Sequence, residues 1–369
     1  MSWLPPVPPS AVDTAGRTWN VHRAWPDLTA GGYVLEVVTP GQPGVQGARL
    51  RDGKFELLLG DDPGLPSLQS EARHGEVISH RPGIRAVIRG QGCYIKVFRP
   101  GEALRTAERW FHGGLLLGTG NFSAPTVLRS SPDVIVFSAV PGRTLGALSE
   151  DHQAVSDESF AGLWEQWAQA WTAQVGARGD PRSGAALAAL PLHSPDVEVA
   201  DLRFWVKRWW RNYAGGPDGS SHGDALRSLA EDVAQDLLGT PADPFVWAHG
   251  DLHDKQILAV GGGSTLGLLD FDDTARAEAS LDLANLDVRL EMHMRRNRMT
   301  PERFLAAHAQ VLAAVEALHV SPRRFLAYSD AAWLRLACSP LPLRSAVALS
   351  VLQERRSSAP VRRVRELMT

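Results

Sequence analysis

Cysteine is almost missing from this chain: Cys93 and Cys338 are the two in 369 residues. That excludes a disulfide framework, a paired-cysteine redox motif and a thiolate zinc site, and it fits a reducing, cytoplasmic setting. No run reaches the roughly 18 consecutive apolar residues that a membrane helix requires, so no membrane partner is expected. The opening stretch MSWLPPVPPS has neither a charged start nor an apolar core and is not expected to be a secretory signal. A basic excess is also lacking. The formal net charge is -3, which argues against nucleic acid as the main partner. Arg362, Arg363 and Arg365 near the end read as a solvated helix face. No G-x-G-x-x-G occurs anywhere, and there is no internal repeat.

What is present is ample core material, 44% hydrophobic residues, in a chain long enough for two domains or one two-lobed unit. Residues 1–70 read as short strands and turns, with RDGK between apolar runs as a hairpin signal. GEVISH, IRAVIRG and CYIKVF, separated by RPG and QG, predict three antiparallel strands. GEALRTAERWF follows at helical spacing, and PTVL and DVIVFSAV predict two more strands. Beyond about 150 the pattern turns mostly helical, broken at 245–272 by short apolar runs around the turn GGGST. The expectation is an α+β chain of two lobes, β-rich first and helical second.

The tripeptide His-Gly-Asp occurs twice. His222-Gly223-Asp224 lies in loop sequence before ALRSLAEDVAQDLL, so Asp224 reads as a helix N-cap. His249-Gly250-Asp251 instead follows the apolar run FVWA and precedes ILAV, on a loop between two short strands. Gln256 comes five positions after Asp251, and Asp270, in LLDFDD, nineteen positions after it. A loop carboxylate, an amide oxygen and a second strand-end carboxylate suit a hard cation. Phosphoryl transfer from ATP needs such a set, one carboxylate to orient the attacking hydroxyl and further oxygens for Mg²⁺.

The sequence HGDLHDKQIL, LLDFDD and LDLANL resembles the aminoglycoside phosphotransferases and related small-molecule kinases over roughly residues 75–290. The resemblance implies a two-lobed protein-kinase-like fold, Asp251 as catalytic base, and Gln256 and Asp270 as Mg²⁺ ligands. Asp282 matches a position that is more often structural. Gln256 stands where the family usually has Asn. The maltokinase and glucosamine kinase branches are similar in carrying Gln, and they add a β-rich N-terminal cap. The implied division is a cap at 1–70, a nucleotide-binding lobe at 71–140 and a helical lobe at 141–369.

A kinase of this kind needs a strand cation at the nucleotide phosphates and a helix acid to hold it. Lys96 in CYIKVF is the expected cation and Glu108 the expected acid, with Glu102 as rival. The turn Ser79–Gly83 stands where a phosphate-covering loop is expected, with Arg81 as a helper, although Pro82 removes one donor. The resemblance sets the adenine against the backbone of Phe137 to Ala139.

Of the 12 tryptophans, Trp164, Trp167 and Trp171 fall at helical spacing and read as core, while one of Trp205, Trp209 and Trp210 could face an acceptor. Asp254, Asp287 and Glu291 are candidates for holding an ammonium group, and His253 reads as a brace. The expected activity is ATP- and Mg²⁺-dependent phosphorylation of a hydroxyl on a small polar acceptor, a sugar or amino sugar, by a monomer or dimer. Kinases of choline, homoserine or thioribose type, and a nucleotide-binding regulator without transfer activity, remain open.

Overall fold

The structure, a computed structural model, describes residues 4, 6–27, 31–58, 61–117, 122–176, 181–216, 219–261 and 265–366, without the side chains of 115, 181–183, 220 and 358–366. The turn residues 262–264 and the side chains of Arg362, Arg363 and Arg365 lie outside the described residues. The chain divides into two compact units, residues 2–111 with 125–140, and residues 112–124 with 141–369. As expected, the first is β-rich and the second mostly helical.

The first unit holds two five-stranded antiparallel sheets. One is a meander of Ser10–Val12, Thr18–Pro26, Tyr33–Val38, Gln46–Arg51 and Lys54–Leu57. Asp52 and Gly53 both take positive φ at the RDGK turn, as a tight hairpin with right-handed twist requires. The other sheet runs, in spatial order, Val127–Ser130, Val134–Ser138, Cys93–Phe98, Arg85–Gly90 and Gly75–Arg81. Strand alternation sorts its two faces. Ala86, Ile88, Ile95, Val97, Val134 and Val136 form one buried face with Leu65 and Leu68. Lys96, opposite Ile135 and Val87, therefore belongs to the other face, with Phe137.

The second unit buries Trp164, Trp167 and Trp171 of the helix Asp157–Gly176 almost completely, as their spacing predicts. The strands Ile257–Val260 and Thr265–Leu268 form the expected hairpin. A strand that the sequence reading does not anticipate, Ala275–Glu278, lies between Leu192–His193 and Phe245–Ala248. Its pattern Ala-Arg-Ala-Glu alternates, but it is four residues long and has none of the β-branched or aromatic residues that mark a strand. It ends at fully buried Glu278, which binds Arg324 Nε at 2.8 Å and Tyr328 Oη at 3.0 Å.

The expectation for the His-Gly-Asp copy at 222–224 is corrected. The helix Gly219–Leu238 begins five residues before Asp224, so Asp224 lies inside it and pairs with Arg227 rather than capping it. The motif is a packing device. A Cβ on Gly223 would stand 2.3 Å from the Trp210 ring, and His222 stacks on Trp209 with ring centroids 4.6 Å apart.

Candidate active site

The His-Gly-Asp copy at 249–251 continues the strand Phe245–Ala248 into a turn that requires glycine. Gly250 has φ +87°, and a Cβ there would lie 2.0 Å from the Asp273 carbonyl oxygen. Asp282, in the first turn of the helix Ala279–Arg295, accepts from the His249 N–H at 2.6 Å and the Gly250 N–H at 3.0 Å. Burial pushes the Asp282 carboxyl up, and these donors offset only part of that. His249 Nε2 donates to the Leu269 carbonyl at 2.6 Å, so its Nδ1 is left to face the Asp251 N–H at 3.4 Å. Asn285, one turn after Asp282, donates to the Leu252 carbonyl at 2.9 Å. The loop backbone is thus held from both sides, and Asp251 projects from it half-exposed.

Gln256 and Asp270 stand at adjacent ends of the hairpin strands. The Leu269 N–H donates to the Gln256 carbonyl at 2.9 Å, and Gln256 Nε2 lies 3.2 Å from Asp270 Oδ2. Asp270 is held in the left-handed region, φ 65° and ψ 64°, which a non-glycine residue adopts at a cost. His253 completes a chain of contacts. Its Nε2 lies 3.8 Å from Asp251 Oδ2 and 3.4 Å from Gln256 Nε2, and its Nδ1 faces the Lys255 N–H at 3.2 Å. Burial pushes the His253 imidazole down to about 4, so it is neutral at pH 7.

With Nδ1 accepting, His253 Nε2 carries the proton and faces the Gln256 amide. Turning that amide half a turn presents its oxygen to the imidazole N–H and, beside Asp270, offers two hard oxygens to a cation. Two protein oxygens suit Mg²⁺, which keeps waters and takes the remaining ligands from phosphate. Among the described residues no cluster of three His, Cys, Asp or Glu forms a site that binds metal without such help.

In the first unit, Lys96 Nζ lies 5.5 Å from the Phe137 ring centroid and 5.8 Å from that of Trp110, and the two rings are 4.2 Å apart. Trp110 comes from the helix Glu102–Leu117. Glu108, the acid expected to hold Lys96, is exposed and makes no ion pair among the described residues. The reason is helical phase. Two residues before Trp110 is about 200° around the axis, away from the face that Trp110 turns to the sheet. Glu102 pairs instead with Arg105.

The turn Ser79–Gly83 does not offer the donors expected of it. The Gly83 N–H donates to Asp62 at 2.7 Å and the His80 N–H to Glu36 at 2.7 Å. Both acids come from before residue 70 and are buried. The Arg81 guanidinium stacks on Trp25, 5.2 Å from its ring centroid. The Ala139 N–H, expected at the adenine edge, donates to the Gly92 carbonyl at 2.9 Å, and Phe137 lies within the paired strand.

The candidate acceptor acids are also engaged. Asp254 is buried beside His293 at 3.1 Å, Asp287 binds His308 Nδ1 at 2.5 Å and Glu291 binds Arg295 Nε at 2.7 Å. Trp209 and Trp210 pack within the helical unit, and Arg208 stacks over Trp205. Asn285 and Arg289, whose Nη2 lies 3.9 Å from Asp251 Oδ1, escape the sequence reading. Their spacing of three and seven residues from Asp282, one face of a helix, is the signal that could have found them.

No protein-family model and no curated protein matches the chain. Solved structures do. A glucosamine kinase solved with glucosamine, ADP and inorganic phosphate is 16% identical, with 91% of this chain and 93% of the other covered and a TM-score of 0.47. An aminoglycoside phosphotransferase from Streptomyces rimosus is 16% identical over 72% of this chain and 94% of its own, with a TM-score of 0.48. The chain is similar, too, to a choline kinase from Streptococcus pneumoniae, 12% identical over 76% and 92% of the two chains, with a TM-score of 0.48.

Proposed function

We propose that this protein is an ATP- and Mg²⁺-dependent kinase that phosphorylates a hydroxyl of a small polar molecule, a sugar or amino sugar. The observation that carries the reading is the continuous chain of contacts from Asp251 through His253 and Gln256 to Asp270, on a loop pinned by Asp282 and Asn285. In this reading Asp251 accepts the hydrogen bond of the attacking hydroxyl, aims its lone pair in line, and takes its proton as the new bond forms. Neutral His253 keeps Asp251 and Gln256 apart without adding charge. Gln256 and Asp270 would hold the metal, and Lys96 would take the α- and β-phosphates. Bound Mg²⁺ would neutralise phosphate charge.

Asp251→Asn removes the proton acceptor and leaves the Lys96 and Asp270 groups in place. It is expected to lower kcat by roughly 10²–10⁴-fold while calorimetric ADP–Mg²⁺ binding is kept. Near-normal turnover by this variant would refute the assigned role. Exposed Glu108 and the occupied donors of the Ser79–Gly83 turn favour, as a second reading, a nucleotide-binding regulator. For that reading ATP consumption stays at background across a broad acceptor panel while ADP–Mg²⁺ still binds.

A further inference from the structure

Along the helix Ala279–Arg295, Asp282, Asn285 and Arg289 occupy one face, and each meets the loop that carries Asp251. The first two hold backbone. Arg289 alone of the three meets the carboxylate itself, with Nη2 3.9 Å from Asp251 Oδ1. That separation is too long for a hydrogen bond, and the buried Arg289 Nε has no hydrogen-bond partner among the described residues. The guanidinium therefore retains donors while its side chain is 29% exposed. Of the acids that could receive an ammonium group, Asp287 is matched with His308 and Glu291 with Arg295, and Asp254 is almost fully buried beside His293. His253 is neutral. Arg289 is the one arginine or lysine beside the Asp251 carboxylate among the described residues.

Resting on the kinase reading, we infer that Arg289 sets the acceptor class: a neutral or anionic polyol whose oxygens accept from the guanidinium next to the reacting hydroxyl. An acceptor with an ammonium group at that end meets a like charge, with Asp251 committed to the reacting hydroxyl. A carboxylate, or two neighbouring hydroxyl oxygens, matches the planar fork of donors.

The test compares glucuronate, glucose and glucosamine, by calorimetric binding to the full chain in ADP and Mg²⁺ and by steady-state kinetics with ATP. Wild-type protein is expected to favour glucuronate and glucose over glucosamine by about tenfold or more, and Arg289→Gln to erase that preference by raising the KM of glucuronate with the KM of ATP unchanged. Arg289→Lys keeps the charge without the fork and should preserve the rejection of glucosamine while binding glucuronate less well. Four results would overturn the inference: glucosamine preferred by the wild type, an unchanged ranking in Arg289→Gln, an effect confined to the KM of ATP, or no binding of any of the three. Failure of ADP–Mg²⁺ to raise the wild-type melting temperature is a separate outcome, and it counts against the kinase reading itself.

Discussion

Gly250 shows how much a single position can decide. Its φ of +87° lies in the region that side chains avoid, and the Asp273 carbonyl stands 2.0 Å from where a Cβ would be. The clash is with backbone, which cannot rotate out of the way. Gly250→Ala is expected to destabilise the fold by roughly 2–4 kcal/mol, read as a lowered urea midpoint, and to lower turnover by displacing Asp251. At this scale much was legible in the sequence. Asp251, Gln256 and Asp270 are close along the chain, and two short strands are enough to bring their loop ends together. Glu108 was not legible, because a helix acid faces a strand lysine only at the right phase, and the phase is set by where Trp110 docks. The donors of His80, Gly83 and Ala139 were equally hidden, since a sequence does not say which acceptor reaches an N–H first.

Elements account for the different fates of the two His-Gly-Asp copies. In the copy at 249–251 a strand ends, the backbone turns sharply, and the next helix supplies Asp282 to satisfy the freed N–H groups. In the copy at 222–224 the same three residues continue a helix, and the glycine lets that helix approach Trp210. Gly223→Ala should therefore cost about 1–3 kcal/mol through overpacking, while Asp224→Ala, on the exposed face, should stay within about 0.5 kcal/mol. Urea unfolding of the two variants measures the contrast, and equal losses would contradict it. The period of the apolar residues exposed most strands and helices in advance. The strand Ala275–Glu278 was concealed, because its Glu278 is buried by pairing with Arg324, forty-six residues later, rather than by being apolar.

Across the molecule, buried charge ties distant segments together. In the first unit Glu36 and Asp62, from before residue 70, hold the turn at 79–83 through the His80 and Gly83 N–H groups, and Asp62 also meets His80 Nε2 at 3.0 Å. Burial by itself would raise both carboxyls, but the hydrogen bonds and nearby cations outweigh it, and both sit below the ordinary carboxylate range. A carboxyl whose folded value is depressed adds stability above its unfolded value of about 4 and loses it as pH falls through the folded value. Stability of the wild type should therefore fall below about pH 4, and Asp62→Asn should flatten that limb while costing about 1–3 kcal/mol at neutral pH. Urea midpoints between pH 3 and 7 for the two proteins decide this.

The sequence by itself determined the division into a β-rich and a helical part, the tryptophan core and the loop bearing Asp251, because these depend on apolar periodicity and on neighbours along the chain. Only the tertiary structure decided which acids are spent on protein cations, which N–H groups are already taken, and that Arg289 stands beside Asp251. Hydrogen bonds and ion pairs join residues tens of positions apart, and no local pattern records which partner each buried polar group reaches.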